Sequence, residues 1–347
     1  MLNTILVGDV LDRIREIPDG SVHCCVTSPP YWGVRDYENS AQIGQEPRVE
    51  EFLDRLVRVF REVRRTLRDD GTLWLNVGDS YAKTDVPPLK CKDLLGLPWL
   101  VALALRGDGW YLRTEIIWRK PNAMPESVED RPQREHEYVF LLAKQPRYYY
   151  DRFAVWVPRD PLAEVADPSR HGPGRNRRSV WDIRLKPFRN AHFATFPPEL
   201  PRLCILAGTS HKGACAQCGS PWVRQVENPD YSEAPKRRES RLIGQMDPNR
   251  LAFSGQDWQD WRDANPSRTI GWEASCKCDA GVVPCVVLDP FAGAGTTLMV
   301  ARSLLRSYIG IELNPYYADI AEKRLVDVNA MAEQREAFNE VQDLLPS

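Results

Sequence analysis

Apolar positions along the chain recur with two different periods. Short apolar runs at residues 2–7 (LNTILV) and 22–26 (VHCCV) each end in a turn signal and read as buried strands, with a short helix from Val10 to Ile17 between them. From Val49 to Leu67, the residues Phe52, Leu53, Leu56, Val57, Phe60, Val63 and Leu67 recur at spacings of three and four. That is the period of an amphipathic helix, and Asp69-Asp70-Gly71 predicts its stop. A strand over 72–77, a helix around Pro98–Arg106 and strands over 113–118 and 138–143 follow. The alternation resumes with a strand at 286–288, a helix at 296–306, a strand at 308–311 and a final helix from Pro315. Strands alternating with helices predict a wound α/β sheet, mostly parallel, with helices on both faces.

The pattern breaks twice. Residues 148–196 are rich in Arg, Pro and aromatics, and residues 211–280 are irregular with paired cysteines at each end. The organisation expected is therefore one core, made of 1–147, 190–210 and 281–347, interrupted by insertions at 148–189 and 211–280. At 43% hydrophobic and 27% charged, the 347-residue chain is composed to fold and not to stay disordered. A formal net charge of −2 gives no global pull toward nucleic acid, so any basic surface must be local. No run reaches the roughly 18–20 apolar residues of a membrane span. The start Met1-Leu-Asn-Thr-Ile-Leu-Val lacks the charged and apolar regions of a signal peptide, and a cytoplasmic protein is expected. Nine cysteines, an odd number, suit a reducing compartment better than a disulfide framework.

Two segments carry chemistry. In Val286-Val-Leu-Asp-Pro-Phe-Ala-Gly-Ala-Gly-Thr-Thr-Leu, a buried strand ends in a glycine-rich turn that opens a helix. Such a turn lets backbone approach a ligand closely, and the helix start favours an anionic group. A second strand ends at Glu312, seventeen residues after Gly295, about where wound nucleotide-binding folds place an acid on ribose hydroxyls. The third glycine of the dinucleotide fingerprint is missing, which argues against a nicotinamide or flavin enzyme; a tight turn without any ligand is the plain alternative.

The other segment, Thr27-Ser-Pro-Pro-Tyr-Trp, leaves the strand at 22–26. It reads either as a proline-rich turn or as a grip on an exocyclic amine. Such an amine is a poor nucleophile, because its lone pair is delocalised into the ring. Two acceptors holding its N–H bonds favour the more tetrahedral nitrogen that attack requires. Ser28 offers a side-chain oxygen and Pro29 a carbonyl with no N–H beside it, Pro30 stiffens the turn, and Tyr31 offers a face to an unstacked base. Trp32 or Tyr31 can also sit near a sulfonium cation.

Together these segments resemble the two motifs of the DNA amino-methyltransferases, which methylate cytosine N4 or adenine N6. The catalytic motif precedes the cofactor motif, as in the permuted beta class of that family. Gly71-Thr-Leu-Trp-Leu-Asn-Val-Gly-Asp, Trp118-Arg-Lys-Pro-Asn and His192-Phe-Ala-Thr-Phe-Pro fit as well, so the resemblance covers about 1–147, 190–207 and 284–330. It implies a seven-stranded sheet of the S-adenosylmethionine-dependent methyltransferase type, with S-adenosylmethionine as cofactor. The implied catalytic residues are Ser28, Pro29, Pro30 and Tyr31. The implied cofactor residues are Asp9, Thr27, Trp32, Thr195, Phe196, Asp289, Pro290, Phe291, Ala292, Gly293, Gly295, Thr296, Thr297, Glu312 and Asn314. Double-stranded DNA is the implied partner, the target base being flipped out. Homodimers occur often in the resembling subgroup, and a cognate restriction endonuclease would act alongside without a stable complex. The first motif residue is usually Ser in cytosine-N4 enzymes and Asp in adenine-N6 enzymes, so Ser28 implies cytosine N4, with adenine N6 the alternative.

The family places target recognition between the two motifs, where residues 168–190 hold seven Arg or Lys against one Asp. Arg170, Arg175, Arg177, Arg178, Arg184 and Lys186, interleaved with Trp181, Phe188 and His171, suit phosphate contact and base reading; a solvated loop is the plain reading. In the second insertion Cys215-Ala-Gln-Cys218 has the spacing of half a zinc knuckle, and Cys276-Lys-Cys278 is a tighter second half. A structural zinc on all four is expected, with His211, Cys204 and Cys285 in reserve and plain thiols the alternative. Rival readings are methylation of RNA or of protein glutamine, and a zinc-containing nucleic-acid-binding protein with an inactive core.

Overall fold

Eight strands form the central sheet: β1 (Thr4–Val7), β2 (Val22–Thr27), β3 (Leu67–Val77), β4 (Tyr111–Arg119), β5 (His136–Ala143), β6 (Val180–Asp182), β7 (Val286–Asp289) and β8 (Ser307–Glu312). Their order is β1-β8-β7-β2-β3-β5-β4-β6, and β5 alone runs against both of its neighbours. The computed structural model describes residues 1–34, 42–85, 89–158, 170–171, 174–186, 196–233, 261 and 264–344.

The two-residue period of the strands divides the core into two layers. Along β3, Leu73, Leu75 and Val77 face α1 (Val10–Arg13), α2 (Val49–Thr66) and α3 (Leu97–Gly107), meeting Phe52, Leu56, Phe60 and Val101. Trp74 faces the other layer, where α4 (Glu199–Gly208), α5 (Thr296–Ser303) and α6 (Pro315–Leu344) bring Leu200, Leu203, Leu298 and Leu325. The mostly parallel α/β sheet expected from the alternation is thus present. Among the described residues, no helix is long and apolar enough to cross a membrane.

Two expectations change in detail. The helix α2 ends at Thr66, and β3 starts at Leu67 and runs through Asp69-Asp70-Gly71, because Leu67 is already extended (φ −66°, ψ 140°) and pairs with Val22. The sheet also has one strand more than seven. That strand, β6, comes from the basic segment and pairs in parallel with β4. Burial explains it: Trp181 is nearly enclosed, its ring centroid is 6.3 Å from that of Trp74, and Trp118 Nε1 donates to the Ile183 carbonyl at 2.8 Å. The two insertions also meet. Arg170–His171 pairs with the strand Ser267–Ala274, which pairs in turn with Trp222–Glu227 to give a three-stranded sheet.

Candidate active site

The strands β2 and β7 are parallel neighbours, so their C-terminal ends bring Thr27 and Asp289 side by side. Thr27 Oγ1 donates to Asp289 Oδ1 at 2.6 Å, and Thr297 Oγ1, at the start of α5, donates to the Val26 carbonyl at 3.2 Å. These bonds join the proline turn after β2 to the glycine turn after β7. They give Thr27 and Thr297 a structural task, and neither residue lines the cavity that opens beyond them.

That cavity measures about 250 Å³. One wall is the glycine turn. Gly293 and Gly295 are both left-handed, at φ 51° and 74°. A Cβ on Gly295 would stand 2.7 Å from Ala321 Cβ, so this glycine lets α6 pack closely, whereas a Cβ on Gly293 would meet nothing within 4 Å. Glu312, at the end of β8, accepts from Gly293 N–H at 2.7 Å and from Asn314 N–H at 2.9 Å. Burial raises its pKa, and those two N–H groups partly offset the shift. Asp9 caps α1 by accepting from Leu11 N–H at 2.8 Å and also lines the cavity. Phe196, Asp289–Gly293, Thr296, Glu312 and Asn314 complete the set of expected cofactor residues in this lining.

The other wall is polar. Ser28, Pro29, Pro30 and Tyr31 line it together with Asn76, Lys120 and Glu137. Tyr31 Oη donates to Glu137 Oε2 at 3.0 Å and lies 3.2 Å from Ser28 Oγ. Asn76 Nδ2 donates to the same Glu137 oxygen at 3.0 Å, and Lys120 Nζ donates to the other one. Burial, with the charge of Glu137 second, pushes the Tyr31 phenol well above its ordinary pKa, so it keeps its proton. That single proton goes to Glu137, so toward Ser28 the phenol oxygen accepts and the Ser28 hydroxyl donates. The Ser28 lone pairs are thereby free to accept from a ligand. Gly78 makes room for this arrangement, because a Cβ there would lie 2.7 Å from Tyr31 Cε2.

Asn76, Gly78, Lys120 and Glu137 were not singled out by the sequence reading. Asn76, Gly78 and Lys120 lay within stretches noted for resemblance, yet nothing local gave them a role. Two expected residues sit elsewhere. Trp32 Nε1 donates to the Glu46 carbonyl at 2.7 Å, and its ring packs on the core outside the cavity. Gly295 underlies the turn, as described. Thr195 lies outside the described residues.

The buried Asp289 couples the site to pH. Desolvation raises its carboxyl pKa to about 6, against hydrogen bonds from Thr27, Thr297 and Phe291 N–H that lower it. The folded value exceeds the unfolded one of about 3.9, so the folded chain holds a proton that the unfolded chain has lost. Stability from this group therefore falls as pH rises from about 4 through about 6. Asp289→Asn lacks that loss. Its unfolding free energy relative to wild type is expected to grow by up to about 3 kcal/mol between pH 4 and 7 in denaturant titrations. A difference that does not vary with pH would contradict the buried, proton-holding carboxyl.

Near the cavity mouth the basic segment folds back. Leu185 lines the cavity and is fixed by paired bonds to Asn122, its N–H donating at 2.8 Å and its carbonyl accepting at 3.0 Å. The flanking Arg184 and Lys186 are exposed, as is Arg178. Arg177 is half-buried with its guanidinium 5.9 Å from the Trp181 ring centroid, and Arg175 pairs in a short strand with Val157. The side chain of Arg170 lies outside the described residues. At the opposite ends of the strands, Cys215, Cys218, Cys276 and Cys278 come together, their sulfurs within 4.8 Å of one another. Cys204 and Cys285 are buried elsewhere, and His211 stands beside Trp272.

Comparison with known proteins adds the family. The family model for DNA methylases matches residues 22–216 and 285–323. The chain is 41% identical to the Type II methyltransferase M.Cfr9I of Citrobacter freundii over 93% of its own length and 87% of that protein's. Among solved structures it is similar in fold to the PvuII DNA methyltransferase (cytosine-N4-specific), with a TM-score of 0.59 and 17% identity over 99% of this chain and 93% of that one. It is also similar in fold to a Thermus thermophilus protein, assigned as a DNA modification methylase and solved with S-adenosyl-L-methionine. There the TM-score is 0.52, at 24% identity, covering 94% and 95% of the two chains.

Proposed function

Because the chain belongs to the DNA methylase family, we propose that it transfers a methyl group from S-adenosylmethionine to the exocyclic N4 of cytosine in duplex DNA. The observation that carries this reading is the Ser28 hydroxyl, turned by Tyr31 and Glu137 into an acceptor on the wall facing the glycine turn.

The residues of the glycine-turn wall fit the cofactor. Gly293 leaves open space, Glu312 and Asp9 present carboxylates suited to hydroxyl or amino donors, and Phe291, Ile311 and Leu313 give apolar faces to a flat ring. When bound there, S-adenosylmethionine supplies an electrophilic methyl on a sulfonium. The rest is done by the chain's own groups. Ser28 Oγ and the Pro29 carbonyl accept the two N–H bonds of the target amine and draw its nitrogen toward the tetrahedral form. Tyr31 holds its ring against the base, and Glu137, anchored by Asn76 and Lys120, keeps the phenol in place. A base can reach this depth only when flipped from its stack. Arg178, Arg184 and Lys186 at the mouth suit phosphates of the flanking strand.

The choice of cytosine rests on Ser28, which stands where the resembling adenine-N6 enzymes usually carry Asp. Radiolabelled cofactor, incubated with duplex DNA and followed by nuclease digestion and mass spectrometry, tests both levels. N4-methylcytosine is expected. N6-methyladenine alone would overturn the base assignment and leave the methyltransferase reading, whereas transfer only to RNA or protein would overturn the substrate.

A further inference from the structure

We propose that Cys215, Cys218, Cys276 and Cys278 bind one structural zinc ion, and that this ion holds the three-stranded sheet on which the basic segment is hung. Four thiols converge from two turns that are 58 residues apart at their nearer ends, Cys218 and Cys276. Their sulfurs lie within 4.8 Å of one another. Tetrahedral bonds of about 2.3 Å place sulfurs about 3.8 Å apart, so a small contraction completes the shell. Four thiolates are the soft set that selects zinc, and with no position left for water the site is structural.

The backbone around Cys215 is built as a knuckle. Gly219 N–H donates to the Cys215 carbonyl at 2.8 Å, and Cys215 N–H donates to the Ser220 carbonyl at 2.8 Å. Gly219 is left-handed at φ 70°, and a Cβ there would stand 2.7 Å from Arg68 Nη1. On the other side Ser275 Oγ donates to the Pro221 carbonyl at 2.6 Å, tying the second cysteine turn to the first.

The need for a metal follows from what the module lacks. In the strands Trp222–Glu227 and Ser267–Ala274, no residue is fully buried. A sheet without its own apolar core needs another source of stability, and a metal is the usual one at this size. The knuckle in turn docks on the catalytic core. Arg68 Nη1 donates to the Cys218 carbonyl at 2.7 Å. His23 Nδ1 accepts from Val286 N–H at 3.0 Å, so its Nε2 carries the proton and donates to the Gly219 carbonyl at 2.9 Å. The strand Ser267–Ala274 then pairs with Arg170–His171, the start of the basic segment whose far end reaches the cavity mouth at Leu185. The ion would thus fix one end of that segment and β6 the other. This second half rests on the reading of the segment as a DNA contact.

Protein purified without chelator is expected to carry one zinc per chain by plasma mass spectrometry. Replacing the zinc with cobalt(II) should give the visible absorption of a tetrahedral thiolate site. The double variant Cys276→Ser/Cys278→Ser should lose the metal and bind duplex DNA at least about tenfold more weakly, the cost of ordering a released segment on binding. Its affinity for S-adenosylmethionine should stay within about twofold of wild type, since the cofactor wall lies at the other ends of the strands. Retained cofactor binding also shows that the core has folded. Absence of metal, with four alkylatable thiols or with disulfides in peptide mass spectra, overturns the site. One zinc with DNA affinity unchanged after its removal overturns the bracing role, as would wild-type protein with no affinity for DNA. The metal count itself does not depend on methyl transfer, so its failure and that of the enzymatic reading are separable.

Discussion

Replacing Ser28 with alanine is expected to lower single-turnover methyl transfer by about two to three orders of magnitude, while the affinity for S-adenosylmethionine stays within about twofold. The hydroxyl proton is committed to Tyr31, whose own proton goes to Glu137, so Ser28 Oγ meets a ligand as an acceptor. Its grip on the amine strengthens as the nitrogen becomes tetrahedral, and an interaction that strengthens only toward the transition state lowers rate and not ground-state binding. Alanine leaves the turn intact, because the other acceptor is the Pro29 carbonyl. Tyr31→Phe is the companion variant. It keeps the ring but removes the atom that receives the Ser28 proton, so a loss of about tenfold is expected, the value of one ordinary hydrogen bond. Rapid-quench measurement of the first turnover, beside calorimetric titration of cofactor, checks both. If rate and cofactor affinity fell together, Ser28 would belong to the cofactor wall and not to the base.

Gly293→Val is expected to weaken binding of S-adenosylmethionine at least about a hundredfold, equivalent to about 2.7 kcal/mol, with the chain still folded. Two effects add. The backbone at φ 51° lies in the left-handed region, where a β-branched residue is strained by about 1–2 kcal/mol. The new side chain would point where a Cβ meets no protein atom within 4 Å, into the space assigned to the ligand. Gly295→Val provides the contrast. Its Cβ would strike Ala321 at 2.7 Å, so its first effect is on the packing of α6 and hence on stability. Calorimetry with thermal unfolding separates the two, and unchanged cofactor affinity in Gly293→Val would remove the glycine turn from the binding site.

Local chemistry made much of the molecule readable in advance. The helix α2 and the strands β2, β3 and β7 follow from apolar period alone, since each element must bury one face or both. The proline turn at Ser28 and the glycine turn at Gly293 are legible because their conformations demand those residue types at fixed positions. The four cysteines could be paired because knuckle spacing is itself a local property. What the linear order does not carry is which strand ends come together. Asn76, Lys120 and Glu137 are polar residues at or next to the ends of β3, β4 and β5, indistinguishable from solvent-facing positions until the order β2-β3-β5-β4 places them around Tyr31. The same convergence decided against Trp32 at the cavity, because a hydrogen bond to the Glu46 carbonyl and packing on the core turn its indole away. It also gave β6 to the sheet, since burying Trp181 against Trp74 and Trp118 outweighs the polar composition of the residues around it. Period and turn chemistry act over a few residues and are written in the sequence, whereas neighbours across a sheet are set by the burial of whole faces, and that is where the polar wall of the site was decided.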